Sequence, residues 1–154
     1  MKNNKQYLLL QQTDKKIAVF KDLKTTVVPS RGWVHTFRTA LKMSLRQLGN
    51  RLNIAPQSTK EIEEREANGT ITLNTLRDVA NAMDMQLVYG FISKTDSLEQ
   101  MIENRAREKA IEIVMRTNNT MKLEDQQISK ERIEQAISQK TAEIKHEMPK
   151  YLWD

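Results

Sequence analysis

The stretch that decides the fold is Ser44–Gly69, SLRQLGNRLNIAPQSTKEIEEREANG, which contains two helical patterns joined by a tight turn. Ser44 can cap a helix by accepting a hydrogen bond from a free backbone amide, and Leu45, Leu48 and Leu52 follow it at helical spacing. These leucines would bury one face of the helix. The first pattern therefore predicts a short amphipathic helix that begins after Ser44.

The turn between the two patterns is marked by Asn53, Ile54 and Pro56. Asparagine tolerates the left-handed conformation that commonly ends a helix, and Ile54 would reach the core from the turn. Pro56 suits the first turn of a new helix, where its missing amide hydrogen is not needed. A second helix is therefore predicted from Pro56 onward.

Two further helices are predicted beside this pair. Arg31–Leu41 would form the first helix of the unit, and after Gly69 the hydroxyl of Thr72 can cap another. Short helices in this order on one small core are typical of the helix-turn-helix plan, in which the second motif helix enters the major groove of DNA. The buried stripe of the last helix would consist of Leu73, Leu76, Val79, Ala80 and Met83.

Charge is distributed one-sidedly around the turn. Residues 31–60 contain six basic side chains and no Asp or Glu, whereas residues 61–66 contain four Glu against one Arg. A block of one sign favours a polyanionic partner, and only the start of the second helix could approach phosphate without repulsion. The basic residues are Arg31, Arg38, Lys42, Arg46, Arg51 and Lys60, and the acidic ones are Glu61, Glu63, Glu64 and Glu66.

Individual roles in contacting double-stranded DNA follow from side-chain chemistry. Gln57, at the start of the second helix, can form two hydrogen bonds with an adenine edge, and Lys60 favours phosphate or guanine. Arg46 and Arg51 are better placed for phosphate. Solubility alone would explain any single residue, so the prediction depends on the block as a whole. The complete set of predicted DNA contacts is Arg38, Arg46, Arg51, Gln57, Ser58 and Lys60.

The N-terminal segment Asn4–Leu23 predicts an amphipathic helix. Two roles stay open for it: packing on the core, or serving as a dimer arm or a basic arm along the DNA backbone. Val27–Ser30 would follow as a linker, because Pro29 disfavours helical geometry in the residue before it. The apolar stripe of the helix is Tyr7, Leu10, Ile17 and Phe20.

The segment Gln86–Phe91, QLVYGF, is rich in aromatic and β-branched residues and favours a short strand. A lone strand needs a partner. Pairing with the same segment of a second copy would form a homodimer and place two recognition helices in successive major grooves. The alternative is a short extended tail that packs on the helices.

Two more helices are predicted near the C-terminus. Ser97 followed by Gln100 forms a capping-box pattern, and Ser129 can begin the last helix. Their apolar faces would pack on each other or on a partner. Pro149 ends the last helix and leaves an apolar terminus that contains Trp153. Such a terminus either anchors an interface or packs back onto the chain's own helices.

The chain also carries the motifs RGW at Arg31–Trp33, MSLRQL at Met43–Leu48, GTITL at Gly69–Leu73, LVYGF at Leu87–Phe91, TMKLEDQ at Thr120–Gln126 and a terminal LWD. The helix-turn-helix stretch resembles the lambda-repressor-like family. Over nearly the whole chain, these motifs resemble the family called mobile mystery protein A. That family is encoded beside a protein with a Fic domain, the fold that transfers AMP from ATP to target side chains. The resemblance thus implies an antitoxin or regulator.

The same resemblance raises a possible inhibitory helix. Fic proteins that have a separate antitoxin are typically blocked by a Ser or Thr, three residues and a Glu, whose carboxylate pairs with an active-site Arg and displaces the ATP γ-phosphate. Thr120 and Glu124 keep this spacing, although Asp125 replaces the usual Gly or Asn. In the alternative, Thr120 is a plain N-cap and Glu124 is solvated.

Several residues depart from the common helix-turn-helix pattern. Leu45 stands where Gln is usual, Gly49 where Ala is usual and Asn53 where Gly is usual. Thr59 and Lys60 replace an apolar residue followed by a small polar one. An inward-facing Thr59 would weaken the core slightly.

Composition excludes several classes of protein. The 154 residues, 38% of them hydrophobic, suit a mainly helical chain with one modest core, and zero cysteines exclude disulfides and thiolate metal sites. The chain has no apolar run near the roughly 18 residues of a membrane span and no signal-peptide core, so we expect a cytoplasmic protein. His35 and His146 are isolated, and the sequence has no phosphate loop or nucleophile motif. We expect neither enzymatic activity nor a cofactor.

The sequence as a whole predicts a mainly α fold: a lambda-repressor-like helix-turn-helix bundle with a short strand, an N-terminal helix and a C-terminal helical extension. We divide it into residues 1–28 (amphipathic helix and linker), 29–92 (DNA-binding domain) and 93–154 (partner or dimer contacts, with Thr120, Glu124 and Trp153 as predicted partner-binding residues). The expected function is a dimeric, sequence-specific regulator that represses its own operon, with a Fic-domain toxin as candidate partner. Direct inhibition of a Fic AMP-transferase, with DNA binding secondary, and a free-standing transcription factor are the alternatives.

Overall fold

The protein is described here by a computed structural model that covers residues 2–123 and 129–154, and these residues are mainly helical. Two 3₁₀ helices, Lys21–Thr25 and Lys150–Trp153, accompany seven α-helices in the described part of the chain. The α-helices are α1 (Lys2–Ala18), α2 (Trp33–Ala40), α3 (Leu45–Leu52), α4 (Pro56–Asn68), α5 (Leu73–Ala82), α6 (Leu98–Leu123) and α7 (Lys130–Glu147).

The chain divides into two compact units. Residues 22–90 form one unit with helices α2 to α5, and residues 1–21 together with 91–154 form the other. Helix α1 therefore belongs with α6 and α7, although the sequence suggested a separate N-terminal segment. Residues 26–29 lie in neither a helix nor a strand, and they belong to the 22–90 unit.

The 22–90 unit has a small apolar core. Val34, Leu48, Val79 and Met83 are buried there, each 7% exposed or less. The helix boundaries follow the predicted local chemistry closely. The predicted buried stripe of α5 is wrong at Leu73, which is 44% exposed. The partly buried residues packed against this core are Phe37, Met43, Leu52, Ile62, Leu76 and Ala82.

The helix caps predicted in this unit are confirmed. The Ser44 hydroxyl accepts a hydrogen bond from the Gln47 amide at 3.1 Å, and the Gln47 side chain accepts one from the Ser44 amide at 2.8 Å. This reciprocal pair satisfies two amides at the start of α3. Asn53 ends α3 in the left-handed conformation with φ 56°, and Thr72 caps α5 by accepting from the Thr75 amide.

The short strand expected at Gln86–Phe91 does not form within this single chain. Residues 85–93 lie in neither a helix nor a strand, and no strand occurs among the described residues. A strand requires a neighbouring strand to accept and donate its backbone hydrogen bonds, and the described part of one chain supplies none. Pairing with a second copy stays a prediction.

The second unit is built on the packing of α6 against α7, as the apolar faces of these two helices predict. Ile102, Ala106 and Ala110 of α6 meet Ile137 and Ile144 of α7 in one buried cluster. The predicted start of α6 is confirmed, since the Ser97 hydroxyl accepts from the Gln100 amide at 3.0 Å. The Asp14 carboxylate of α1 also accepts from the Leu98 amide at 2.8 Å. An acidic side chain from another helix thus completes the cap of α6.

The last 3₁₀ helix packs back onto α6. Leu152 is 1% exposed and belongs to the core of this unit, whereas Trp153 is 58% exposed. The Arg105 guanidinium donates to the carbonyl oxygens of Leu152 at 2.7 Å and Asp154 at 2.5 Å. Leu152 therefore anchors the terminus.

Helix α1 uses only part of its apolar surface within this unit. Leu10 packs against the α6–α7 core, but Tyr7 is 46% exposed. Ile17 and Phe20 are half-buried. In the described residues no helix has both the length and the apolar character needed to cross a membrane.

Candidate nucleic-acid interface

Helices α3 and α4 are joined by a turn of three residues and approach each other closely at Gly49. The Ile54 amide donates to the Gly49 carbonyl at 2.9 Å, which closes the turn. A Cβ atom on Gly49 would lie 2.8 Å from the Ile54 carbonyl oxygen and 2.9 Å from the Thr59 hydroxyl. Glycine is therefore needed in the middle of α3, although it costs helix stability.

Thr59 faces inward from α4 and is fully buried. Its hydroxyl donates to the Ala55 carbonyl at 3.3 Å, so the polar group has a partner. The space that Gly49 leaves open is the space that this hydroxyl occupies. The two departures from the common motif thus compensate each other, and a satisfied hydroxyl costs the core little.

The inward face of α4 is largely polar. Thr59, Glu63 and Glu66 recur every three or four residues, which places them on one side of the helix. Ile62 is the one large aliphatic side chain in its sequence, PQSTKEIEEREAN. Hydrogen bonds and an ion pair therefore help to hold helix α4 on the unit.

Glu63 occupies the centre of this inward face. Its side chain is 9% exposed and forms an ion pair with Arg38 of α2, whose own side chain is 12% exposed. The Arg38 Nε and Nη2 atoms donate to the two carboxylate oxygens, and its Nη1 donates to the Met43 carbonyl at 2.9 Å. Arg38 therefore joins α2, the loop before α3 and α4.

His35 extends the Glu63 cluster toward the surface. Its Nδ1 lies 3.0 Å from a Glu63 oxygen, and its Nε2 lies 3.3 Å from Nη1 of Arg31. With the imidazole proton on Nδ1, His35 donates to Glu63 and its Nε2 accepts from the Arg31 guanidinium, so one tautomer satisfies both contacts. This arrangement holds the exposed Arg31 side chain beside α4.

Glu66 caps helix α2 from the other end of α4. Its carboxylate accepts from the Trp33 amide at 2.6 Å and the Val34 amide at 2.9 Å, which are the first amides of α2. Gly32, at the cap position, has φ +86°, and a Cβ there would lie 2.8 Å from the Glu66 carboxyl carbon. The glycine of the RGW motif is thus required both by its backbone conformation and by the approach of Glu66.

The predicted DNA contacts divide into an interior residue and an exposed set. Arg38 is the interior one, because its guanidinium is committed to Glu63 and the Met43 carbonyl. The basic block places Arg38 among the predicted contacts, but its partner is Glu63, 25 positions later in the chain. Arg38 is therefore an interior residue and not a direct contact.

The remaining predicted contacts are accessible. Arg46 and Gln57 are exposed, and Ser58 is half-buried. The Lys60 side chain is 57% exposed and lies 3.9 Å from Glu64, while that of Arg51 is 50% exposed and donates to the Ala82 carbonyl at 3.0 Å. Exposed ion pairs of this kind are weak, so Lys60 can exchange Glu64 for a phosphate at little cost.

The inward orientation of Glu63 and Glu66 makes the outer surface of this unit more positive than its sequence suggests. Residues 22–90 contain nine basic and seven acidic side chains. Two of the acids, Glu63 and Glu66, face inward with one base, Arg38. The first turn of α4 contains no acidic residue. A positive surface beside an acid-free helix start is suited to a phosphate backbone.

Acid should weaken this unit through Glu63. Burial alone would raise the pKa of Glu63, but hydrogen bonds from Arg38 and His35 and the charge of Arg38 outweigh it and lower the pKa. The unfolded chain, with a carboxyl pKa of about 4.3, therefore takes up the proton first as the pH falls. The stability that Glu63 contributes is present above that value and is lost as the pH falls through the lower, folded value. We expect a decline in the free energy of unfolding below about pH 4.5 that is shallower in Glu63→Gln.

Denaturant titrations of the full chain between pH 3 and pH 7 would measure this decline. Glu64→Gln is the matched control, because the Glu64 side chain is 61% exposed on the same helix. It should keep the wild-type pH dependence. An unchanged pH dependence in Glu63→Gln would contradict the assigned role of the buried carboxylate.

The predicted partner-binding residues lie in the other unit. Thr120 is exposed within α6, and its hydroxyl donates to the Arg116 carbonyl at 3.1 Å, so it is not an N-cap. Glu124 lies outside the described residues. Trp153 is exposed and available to a partner, while its neighbour Leu152 is buried.

Sequence reasoning missed four residues that shape the interface: His35, Gly49, Glu63 and Glu66. Gly49 itself, and Gly32 beside Glu66, gave the only hints, because a glycine at a cap or inside a helix indicates a close approach of other atoms. Comparisons with protein-family models, curated proteins and solved structures found no match to this chain. The described residues also contain no cluster of His, Cys, Asp or Glu that could hold a metal ion.

Proposed function

We propose that residues 22–90 form a helix-turn-helix DNA-binding domain and that the protein is a sequence-specific transcriptional regulator. The observation that carries the proposal is the pairing of α3 with α4 through a three-residue turn, with an acid-free start of α4 beside the exposed Arg46. In such a motif the second helix enters the major groove with its N-terminal residues toward the bases.

The exposed residues then fall into two roles. Gln57, in the first turn of α4, reads a base edge, and Ser58 and Lys60 lie beside it. Arg46, in the first turn of α3, and Arg51, at its end, bind phosphate and fix the register of the domain on the duplex. Because Glu63 and Glu66 face inward, their negative charges do not oppose the approach of α4 to the DNA.

Substitutions at Gln57 and Arg46 should separate base readout from phosphate binding. Gln57→Ala should lower affinity for the preferred operator by about tenfold, relax preference at one base pair and leave the salt dependence unchanged. Arg46→Ala should weaken binding to every sequence and reduce the slope of log K against log salt by about one unit. Fluorescence anisotropy on an operator library at several salt concentrations measures both. Equal losses on all sequences from both variants would contradict the division of roles.

We also propose that the regulator acts as a homodimer. Support comes from Val88 and Tyr89, which are 65% and 56% exposed in a segment that has no partner strand among residues 2–123 and 129–154. Two copies paired through this segment would present two α4 helices to an operator with twofold symmetry. Sedimentation equilibrium of the wild type and of Val88→Asp tests the pairing, since the charge should favour the monomer.

The resemblance to mobile mystery protein A supports the rest of the proposal. We propose autorepression of an operon that encodes a Fic-domain toxin, in the cytoplasm. Exposed apolar residues in the second unit, such as Trp153, offer a surface for that partner.

A further inference from the structure

Helix α4 is docked on α2 and α3 by Thr59, Glu63 and Glu66, together with the partly buried Ile62. Thr59 fits against Gly49 of α3, Glu63 pairs with Arg38 of α2, and Glu66 binds the first amides of α2. With Ile62 as its one large aliphatic residue, the helix has little apolar surface to hold it in place. An apolar contact tolerates sliding and rotation, whereas hydrogen bonds weaken steeply when distance or angle changes.

Two of these contacts together restrict the sliding and the rotation of α4. Glu63 holds the middle of the helix to the side chains of Arg38 and His35. Glu66 holds it one turn later to the backbone of Trp33 and Val34, with both carboxylate oxygens engaged. A helix attached at two points one turn apart can neither slide along α2 nor rotate about its own axis without breaking a contact.

We propose that Glu63 and Glu66 are positioning residues that set the pose of α4 for reading base edges in double-stranded DNA. The inference rests on the proposed function. Base readout requires that Gln57 be held within a fraction of an ångström of its productive position. Phosphate attraction depends on total charge and is far less sensitive to such shifts. Loss of either glutamate should therefore reduce discrimination between sequences while leaving the general attraction to DNA intact.

Four Glu→Gln substitutions on the one helix test the proposal. Glu61 and Glu64 have side chains 48% and 61% exposed, so Glu61→Gln and Glu64→Gln are matched controls for Glu63→Gln and Glu66→Gln. Each variant removes one negative charge from α4. Affinity is measured for the DNA upstream of the protein's own reading frame and for unrelated DNA of equal length, across a salt series.

The inward substitutions should change the ratio of the two affinities, and the outward substitutions should change both affinities together. Glu61→Gln and Glu64→Gln should tighten binding to both DNAs and keep their ratio, because a like charge to phosphate is removed. Glu63→Gln and Glu66→Gln should lower the ratio by about tenfold, comparable to one mismatched base pair, with an unchanged salt slope. A ratio kept within twofold of the wild type in both inward variants would overturn the proposal.

A second variant separates positioning from folding. Arg38→Met combined with Glu63→Leu replaces the buried ion pair by apolar groups, a change that often preserves stability. If this variant is folded by circular dichroism and still loses selectivity, the directional contact matters and the proposal stands. If it is folded and fully selective, the proposal is overturned. A wild type that shows no selectivity would reject the proposed function itself, and the wild-type titration reveals this before any variant is compared.

Discussion

Replacing Arg38 with alanine is expected to lower the free energy of unfolding of the 22–90 unit by about 3 kcal/mol or more. The substitution would leave the Glu63 carboxylate, 9% exposed, without its main ionic partner, and the Met43 carbonyl would lose a hydrogen bond. Removing one member of a buried pair costs more than the pair contributes, because the remaining charge keeps its desolvation penalty. The same effect should follow from Glu63→Ala.

The chain allows this effect to be measured in one unit alone. Its two tryptophans lie in different units, Trp33 in residues 22–90 and Trp153 in the other. Denaturant unfolding in a Trp153→Phe background, followed by Trp33 fluorescence, therefore reports the unit that contains Arg38. Arg46→Ala, an exposed arginine on the neighbouring helix, is the control and should stay within about 0.5 kcal/mol. Equal small losses in both variants would contradict the buried-pair account.

Replacing Leu152 with alanine should destabilise the second unit by about 3 kcal/mol. Leu152 is 1% exposed and packs in the α6–α7 core, so the substitution leaves a cavity in that core. It would also loosen the terminal 3₁₀ helix, which Arg105 holds through two carbonyls. Hydrogen exchange of the α6 and α7 amides measures the loss.

Trp153→Ala is the matched control for Leu152→Ala. Trp153 is larger than Leu152 but 58% exposed, so its truncation should change hydrogen exchange in α6 and α7 little. A larger loss from Trp153→Ala than from Leu152→Ala would contradict the described packing. If Trp153 contacts a partner protein, as we propose, its truncation should weaken that complex without destabilising the unit.

Local signals predicted most of the helix boundaries because caps and turns act over a few residues. Ser44, Asn53, Thr72 and Ser129 all occupy the cap positions that their chemistry favours. Pro149 likewise follows the end of α7. Each of these signals depends only on neighbours in the sequence, so a single sequence is sufficient to predict these helix ends.

The inward face of α4 could not be predicted in the same way. Periodicity analysis looks for apolar residues, whereas Glu63 and Glu66 bind partners that lie 25 and more positions earlier. In the sequence these glutamates add to an acidic run that resembles a solvated surface. The sequence predicts Arg38 as a DNA contact for the same reason, because nothing local distinguishes a paired arginine from an exposed one.

The observed conformation of the Gln86–Phe91 segment shows another limit of local signals. Its residues favour a strand, but strand formation depends on a second strand, and the described residues contain none. The grouping of α1 with α6 and α7 was equally inaccessible, because the Asp14 cap on α6 joins residues 84 positions apart.

The most direct test of the central claim is binding of the purified full chain to its own upstream DNA and to unrelated DNA across a salt series. We predict that the upstream DNA binds at least about a thousandfold more tightly at physiological salt, with both affinities falling as salt increases. Weak binding of similar strength to both DNAs would contradict the account. The basic surface of residues 22–90 would then act by charge alone, and α4 would not be a recognition helix.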